Sequence, residues 1–172
     1  MDTVSITGGI YRGRKITTPG GMTHPMGSRE RLALFNMLTG KIEDSLVLDA
    51  FAGSGALGIE ALSRGAKSVI FVDKSAKSTE VIKKNLLGLG ISDKTKVIKG
   101  SAKEISGEFD IILADPPYDN FDLTEVEPLV KTLKTGGIMV LSHPKEAPKI
   151  DNLTLVKSHQ YAAAHLSVYT KD

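Results

Sequence analysis

From Ser45 to Leu141, short apolar runs alternate along the chain with longer stretches in which apolar residues recur at helical spacing. Most of the short runs are continuously apolar, which is typical of strands buried on both faces. They predict strands at Ser45–Ala50, Lys67–Asp73, Lys94–Lys99, Asp110–Ala114 and Gly137–Leu141. The longer stretches predict helices at Ala56–Gly65, Ser75–Leu89 and Leu123–Leu133. This alternation indicates an α/β domain with a doubly wound, mostly parallel sheet.

The N-terminal part of the chain follows a different pattern. Two short runs separated by glycines predict strands at Thr3–Thr7 and Arg14–Thr17. A loop rich in glycine and proline follows, and Ser28 is placed to cap the next helix. The apolar stripe of that helix consists of Leu32, Leu34, Phe35 and Leu38. A strand pair and a helix therefore precede the sheet.

The C-terminal end predicts a closing hairpin of two strands, Leu153–Ser158 and His165–Thr170. A chain of 172 residues is long enough for one domain. We expect residues 1–41 to form an extension that packs on a core of residues 42–172, within that single domain. The chain has neither a membrane-length apolar run nor an apolar signal core at its N-terminus, so we expect a cytoplasmic protein.

Composition and charge exclude several kinds of site and indicate a class of binding partner. The absence of cysteine excludes disulfides, thiolate metal sites and cysteine nucleophiles. The four histidines lack the spacing of metal ligands, so no metal site is predicted. Residues 1–41 carry six basic residues against Asp2 and Glu30, a net charge of +4, and the remainder carries −2. A basic extension predicts contact with a polyanion, and its candidate residues are Arg12, Arg14, Lys15, Arg29 and Arg31.

A glycine-rich loop follows the first core strand, with the sequence Asp49-Ala-Phe-Ala-Gly53-Ser-Gly55-Ala-Leu-Gly58. Glycines let the backbone approach a ligand closely, and the next helix presents its N-terminus there. Asp73, at the end of the second core strand, is placed to accept the two ribose hydroxyls of a nucleotide cofactor. The glycine spacing also fits a nicotinamide site. An acid at Asp49, however, suits a cationic cofactor such as S-adenosylmethionine better than a pyrophosphate.

The second motif is Asp115-Pro116-Pro117-Tyr118, directly after a predicted strand. The prolines fix two φ angles and remove two backbone donors, so the Asp115 carboxylate and the Pro116 carbonyl are expected to accept hydrogen bonds in one small space. Tyr118 offers a flat face on which a base could stack. Two acceptors beside a stacking ring suit an exocyclic amino group as the recipient of a methyl group.

With both motifs, the chain resembles the class I S-adenosylmethionine-dependent methyltransferases. More closely, it resembles the RsmD family of small-subunit ribosomal RNA guanine-N2 methyltransferases. The resemblance extends over nearly the whole chain and is most specific over Asp49–Gly65. It also includes the basic strand pair Ile6–Lys15, the helix segment Ala33–Leu38 and the tetrapeptide Asp115–Tyr118.

The resemblance implies a Rossmann-like, seven-stranded, mostly parallel sheet with helices on both faces. It implies methylation of a guanine N2 in 16S ribosomal RNA, of the guanine 966 type, within a partly assembled small subunit. The residues assigned to S-adenosylmethionine are Asp49, Phe51, Gly53, Gly55, Asp73 and Ser101. Those assigned to the target base are Asp115, Pro116, Pro117 and Tyr118. No membrane and no obligate protein partner are implied, and we expect a monomer.

The chain departs from the family pattern at His24, Met26, Ser28 and Leu32, on the expected substrate side, and this leaves the RNA target open. Ser101 stands where the family has an acid that contacts adenine. Three alternatives are kept. They are an adenine-N6 methyltransferase of DNA or RNA that uses the same tetrapeptide, a nicotinamide-dependent oxidoreductase, and a non-catalytic binding module.

Overall fold

The computed structural model describes residues 2–21, 26–161 and 164–172, and His24 lies outside this part. The strands are β1 (Thr3–Ser5), β2 (Lys15–Thr17), β3 (Leu46–Ala50), β4 (Ser68–Asp73), β5 (Thr95–Lys99), β6 (Phe109–Ala114), β7 (Leu133–His143), β8 (Leu153–Tyr161) and β9 (Ala164–Lys171). The α-helices are α1 (Ser28–Met37), α2 (Ala56–Ser63) and α3 (Ala76–Leu89). Short 3-10 helices lie at Ser92–Lys94, Ala102–Glu104, Leu123–Glu125 and Glu127–Thr132.

Seven strands form one sheet in the order β5-β4-β3-β6-β7-β9-β8. Strands β3 to β7 pair in parallel, whereas β9 is antiparallel to both of its neighbours. The chain starts in the middle at β3, adds β4 and β5 on one side, and then returns to add β6 and β7 on the other. Strand order therefore reverses between β3 and β6, where α/β proteins commonly bind ligands.

The two faces of the sheet are covered differently. On one face, the three α-helices bury a cluster that includes Phe35, Ile59 and Ile82. On the other face, the cluster is closed by Val126 and Leu129, which belong to the 3-10 region between β6 and β7. The predicted α-helix over residues 123–133 is wrong, because Pro128 lies in its middle and has no N–H to donate.

Helix α1 differs from its prediction at two points. Gly27 is its N-cap and Ser28 makes no capping hydrogen bond, so the predicted serine cap is wrong. Leu32, predicted to lie on the apolar stripe, is 43% exposed, whereas Arg31 is only 1% exposed. The buried arginine has a polar partner across the interface in Glu60 of α2, and this partner determines which face of α1 is buried.

The N-terminal extension is attached to the core through Glu60, which is fully buried in α2. Its carboxylate accepts hydrogen bonds from the backbone N–H groups of Thr7 at 2.8 Å and Gly8 at 3.0 Å. It also accepts one from Arg64 Nε at 3.1 Å and lies 3.8 Å from Arg31 Nε. One buried carboxylate thus accepts hydrogen bonds from the N-terminal segment and from the end of α2, and it forms an ion pair with Arg31 of α1, whose Nε has no hydrogen-bond partner among the described residues.

Helix α3 holds the same extension at a second place. Asn85 Oδ1 accepts a hydrogen bond from Thr17 N, and Asn85 Nδ2 donates to Thr17 O, each at 2.9 Å. The same Nδ2 donates to Ser54 O in the loop after β3 at 3.0 Å. Asn85 therefore links β2 to the glycine-rich loop. No helix in the described part of the chain is long and apolar enough to cross a membrane.

Candidate active site

The candidate site lies where the parallel strands end, on both sides of the point at which strand order reverses. The glycine-rich loop follows β3, Asp73 ends β4, and the segment Asp115–Tyr118 follows β6. Because parallel strands point the same way, their carboxyl ends meet at one edge of the sheet. The two sequence motifs, more than 50 residues apart, are therefore brought together.

The glycines of the loop after β3 serve different purposes. Gly53 has a φ of 58° and open space where a side chain would begin, so the backbone there is accessible to a ligand. Gly55 is the N-cap of α2 and has a φ of 83°. At Gly58, a Cβ atom would overlap the ring of Phe71, so this glycine allows α2 to pack closely on β4.

Phe51 and Asp73, both predicted to contact the cofactor, flank this loop and are partly exposed. Phe51 has a φ of 60°, a left-handed conformation that is uncommon for a bulky side chain. Asp73 accepts hydrogen bonds from Gly53 N at 2.9 Å and from Ser75 N at 2.8 Å. An ionised carboxylate has about four acceptor positions, so two remain for the hydroxyls of a ribose.

Asp49 lies beneath the loop and not at its mouth as predicted. Its side chain is 1% exposed, and Oδ2 accepts a hydrogen bond from Gly58 N at 2.9 Å. Burial raises the pKa of Asp49 well above its ordinary value, and the nearby Asp115 and Asp73 raise it further. Asp49 therefore holds the loop against α2, and a direct contact with a cofactor is not available in this structure.

Ser101 lies after β5 beside a carboxylate that the sequence analysis did not identify. Its hydroxyl donates to Glu125 Oε2 at 3.3 Å, and Glu125 also pairs with Lys74 at 3.3 Å and Lys103 at 3.2 Å. Glu125 reaches this place from the 3-10 helix that follows β6. A 3-10 segment has no helical periodicity long enough to reveal such a residue in the sequence.

The second motif forms a short loop after β6 that is only partly open to solvent. Asp115 and Tyr118 are partly exposed, Pro116 is buried and Pro117 is exposed. Burial of the carboxyl raises the pKa of Asp115 from 3.8 to about 6, although a hydrogen bond from Ser142 opposes the rise. Burial likewise raises the pKa of the Tyr118 phenol. Asp115 is thus ionised at neutral pH with little margin.

Ser142 is a site residue that the sequence analysis missed. It lies near the end of β7, is 1% exposed, and its hydroxyl is hydrogen-bonded to the Tyr118 hydroxyl. A single serine inside an apolar strand carries no recognisable motif, and only the pairing of β6 with β7 brings it to the site.

The charge of the site favours a cationic ligand. Asp49, Asp73 and Asp115 lie near one another, since the last two both raise the pKa of the first. Across the described ranges, none of these three carboxylates forms an ion pair. A group of acids with no counter-charge is complementary to a cation and repels a pyrophosphate. The residues present therefore fit the sulfonium and ammonium groups of S-adenosylmethionine.

The five predicted RNA-binding residues are not in one place. Arg12, Arg14 and Lys15 are exposed, as is Arg29. The turn before Arg12 contacts the last residue of α2, because Ile10 N donates to Ser63 O at 2.8 Å. Since α2 begins at the site and runs away from it for eight residues, this turn lies about 12 Å from the loop after β3.

Helix α1 starts close to the second motif, since Glu30 is near enough to raise the pKa of Tyr118. Arg29, in the same first turn of α1, therefore lies near the second motif. For Arg31, the assignment to RNA binding is wrong in this structure. Its side chain is buried, donates to Ser5 O at 2.6 Å and pairs with Glu60, so it is unavailable to a phosphate.

Comparison with known proteins places this architecture in a family. A family model described as conserved hypothetical protein 95 matches residues 4–170. The chain belongs to the conserved hypothetical protein 95 family. This is the RsmD family that the sequence motifs resemble. The match includes both the N-terminal extension and the core of this family member.

Relatives of this conserved hypothetical protein 95 member include ribosomal RNA small subunit methyltransferase D of Haemophilus influenzae. That protein is 36% identical over 168 residues, which make up 90% of this chain and 86% of the relative. The protein of the same name from Escherichia coli is 36% identical over 120 residues, 67% of this chain and 60% of the relative.

Solved structures give the same picture of the fold. The proposed methyltransferase yhhF of Escherichia coli superposes with a TM-score of 0.88 at 30% identity, covering 99% of each chain. A proposed methylase of Haemophilus influenzae gives a TM-score of 0.82 at 33% identity, again covering 99% of each chain. The predicted fold class, a class I methyltransferase α/β sheet of seven strands, is confirmed.

Proposed function

We propose that this protein transfers a methyl group from S-adenosylmethionine to the exocyclic N2 of a guanine in 16S ribosomal RNA, of the guanine 966 type. The observation that carries the proposal is the partly buried Asp115–Tyr118 segment beside an acidic, glycine-lined loop at one edge of the sheet. The names of the relatives, which refer to ribosomal RNA of the small subunit, support the choice of substrate.

The cofactor belongs on the β3–β4 side of this edge. Gly53 leaves the backbone open, Asp73 keeps acceptor positions for a ribose, and Phe51 offers a partly exposed ring. We assign Ser101, with the adjacent Glu125, to the adenine end. When bound, S-adenosylmethionine supplies an electrophilic methyl group on a positively charged sulfur. The surrounding carboxylates favour that charge, and Asp49 acts indirectly by fixing the loop.

The target base belongs on the β6 side. Asp115 and the Pro116 carbonyl accept the two N–H bonds of the amino group, and Tyr118 stacks on the ring. This orientation directs the nitrogen lone pair toward the methyl group. S-adenosylmethionine, when bound, would supply the methyl group to this nitrogen and would retain the electron pair of the carbon–sulfur bond. The amine then loses a proton, which an ionised Asp115 with a pKa of about 6 can accept.

The substrate must deliver an unstacked base. Extrusion from a duplex costs a few kcal/mol and less from a loop, which favours an RNA loop in a partly assembled small subunit. We place Arg29 beside the base pocket, whereas Arg12, Arg14 and Lys15 are exposed near the turn that contacts the end of α2. An RNA held by both groups would extend beyond the target nucleotide and along α2.

The test uses labelled S-adenosylmethionine with three substrates in parallel. These are small subunits from cells that lack the enzyme, the protein-free RNA from those subunits, and unmethylated DNA. Label recovered as N2-methylguanosine is the expected result. Label recovered as N6-methyladenine, in RNA or DNA, would instead support the alternative that uses the same tetrapeptide. Absence of label in all three, with cofactor binding verified by thermal shift, would contradict the proposal.

The variant Asp115→Ala tests the part of the site assigned to the base separately from the part assigned to the cofactor. We expect it to abolish methyl transfer while cofactor binding survives, because Asp115 is assigned to the base. Asp119→Ala is the matched control, since Asp119 is an exposed carboxylate four residues farther along the same loop. Equal loss of cofactor binding in Asp115→Ala would contradict the assignment of this residue.

A further inference from the structure

Ser142 occupies a position from which one side chain reaches both ends of the Asp115–Tyr118 segment. Strand pairing sets Leu141 of β7 beside Ala114 of β6, so the residues that follow each, Ser142 and Asp115, are also neighbours. On its other side, Ser142 pairs with Leu166 of β9. The side chain is buried between these strands and has little freedom to reorient.

The hydroxyl of Ser142 is hydrogen-bonded to the Tyr118 hydroxyl, and it lies close enough to the Asp115 carboxyl to lower the pKa of that group. A serine has one hydrogen to donate, and an ionised carboxylate only accepts. While Asp115 is ionised, the Ser142 hydroxyl therefore favours that carboxylate by directing its hydrogen toward it and accepting from Tyr118. The three groups form a chain in which the direction of each hydrogen bond is fixed for as long as Asp115 is ionised.

Three other acids lie near this chain of groups. Asp49 of β3 lies close enough to Asp115 for the two carboxyls to repel each other, and Glu30 of α1 faces Tyr118. Asp73 of β4 adds a third acid to the same edge. Among the described residues, Ser142 is the group whose hydrogen bond favours the ionised form of Asp115.

We infer that Ser142 is a positioning residue, which holds the Asp115 carboxylate and the Tyr118 ring in the arrangement that receives the target amine. The inference rests on the proposed function and deepens it. Ser142 acts through its two neighbours and makes no contact with the reacting atoms. Ser142 connects Asp115, which is assigned to accept the amino group, with Tyr118, which is assigned to stack on the base. These two residues lie at opposite ends of a four-residue loop.

The test compares Ser142→Ala, Ser142→Thr and the control Ser167→Ala across a pH series. Ser167 is a fully buried serine of the adjacent β9 whose hydroxyl bonds His143 and Ser158, away from Asp115. In Ser142→Ala, the acid limb of the plot of kcat against pH should shift to higher pH by about one unit, because an interaction that favours the charged carboxylate is lost. At the pH of the wild-type midpoint, kcat should fall about fivefold, and KM for the cofactor should not change.

Ser142→Thr keeps the hydroxyl and should restore the wild-type position of the acid limb, even if its added methyl group lowers Tm. Ser167→Ala should leave that limb in place. If Ser142→Ala lowers Tm or kcat but leaves the acid limb where it is in the wild type, Ser142 only fills space and the inference is wrong.

A second measurement needs no substrate, so it separates failure of this inference from failure of the proposed function. Urea unfolding of the apoprotein across the same pH series reports the ionisation of Asp115 directly. Ser142→Ala should move the pH midpoint of that dependence upward, and it should move nothing in an Asp115→Asn background. An equal effect in both backgrounds would overturn the inference, whether or not the wild type methylates any of the three substrates.

Discussion

Replacing Asp115 by asparagine should make the folded protein more stable at neutral pH, although it removes a residue assigned to the base pocket. Asparagine has nearly the same shape and can still accept the hydrogen bond from Ser142. It carries no charge, so it avoids the cost of holding an anion in a partly buried, acidic site. Such a gain in stability is common where a residue is retained for function.

The sign and size follow from the pKa of Asp115. Burial raises the pKa from 3.8 to about 6, so the folded protein binds this proton more tightly than the unfolded chain. The stability that results is complete below about pH 4 and is lost as pH rises through about 6. At about 1.4 kcal/mol per pKa unit, the rise corresponds to about 3 kcal/mol. Because Asp115 is partly exposed, we expect about 2 kcal/mol.

The assay is urea unfolding of wild type and Asp115→Asn, without cofactor, at intervals from about pH 4 to pH 8. The two free energies of unfolding should nearly coincide at the acid end, diverge between about pH 4 and pH 6, and differ by a nearly constant amount above about pH 6. Asp110→Asn is a control of opposite sign, because hydrogen bonds from Leu46 N and Lys134 lower the pKa of Asp110. Its loss of stability should be present throughout this pH range and disappear only when the series is extended below about pH 4. A constant difference between wild type and Asp115→Asn at every pH would refute the reasoning.

Two further predictions concern the extension. Glu60→Ala should lower the free energy of unfolding by about 3 kcal/mol or more, because it leaves a buried arginine charge unpaired. The exposed Glu80→Ala should cost under about 0.5 kcal/mol, and similar urea midpoints for both would contradict the role of Glu60. Replacing Arg12, Arg14 and Lys15 together by glutamine should reduce the salt slope of RNA binding by about 2. A filter-binding titration with an unchanged slope would exclude phosphate contacts by these residues.

The sheet could be predicted because its strands are buried on both faces. Continuous apolar runs such as those in β3 and β6 are typical of strands that are covered on both faces of a sheet. The two motifs could be predicted as one site because parallel strands end at a common edge. Both inferences use local patterns together with a rule of topology, and neither requires knowledge of an individual contact.

The buried face of α1 could not be predicted in the same way. Its sequence offers Leu32 to the core, but the structure buries Arg31 in its place. The preference depends on Glu60, 29 residues away, and on the carbonyl of Ser5. Periodicity ranks residues by hydrophobicity and cannot anticipate a charge that finds its partner across an interface.

The predicted position of Asp49 failed for a related reason. An acid at the end of a strand can face a ligand or can bind the N–H groups of the helix that follows, and the sequence is the same in both cases. Here Gly58 allows α2 to pack so closely on β4 that its own N–H reaches Asp49. The close packing that Gly58 allows therefore leaves Asp49 buried beneath the loop, where its carboxylate does not face a ligand.

Because Asp49 is buried, the charge that the site presents to a ligand comes from other carboxylates. With Asp49 buried beneath the loop, the aspartates of the two motifs and of β4 that stay partly exposed are Asp73 on the cofactor side and Asp115 on the base side. Asp73 is held by two backbone donors, whereas Asp115 depends on a single hydroxyl. The acid assigned to the chemistry is therefore one whose ionisation burial opposes. A bound cation would favour ionisation of Asp115, so cofactor binding would prepare the carboxylate that then accepts the target amine.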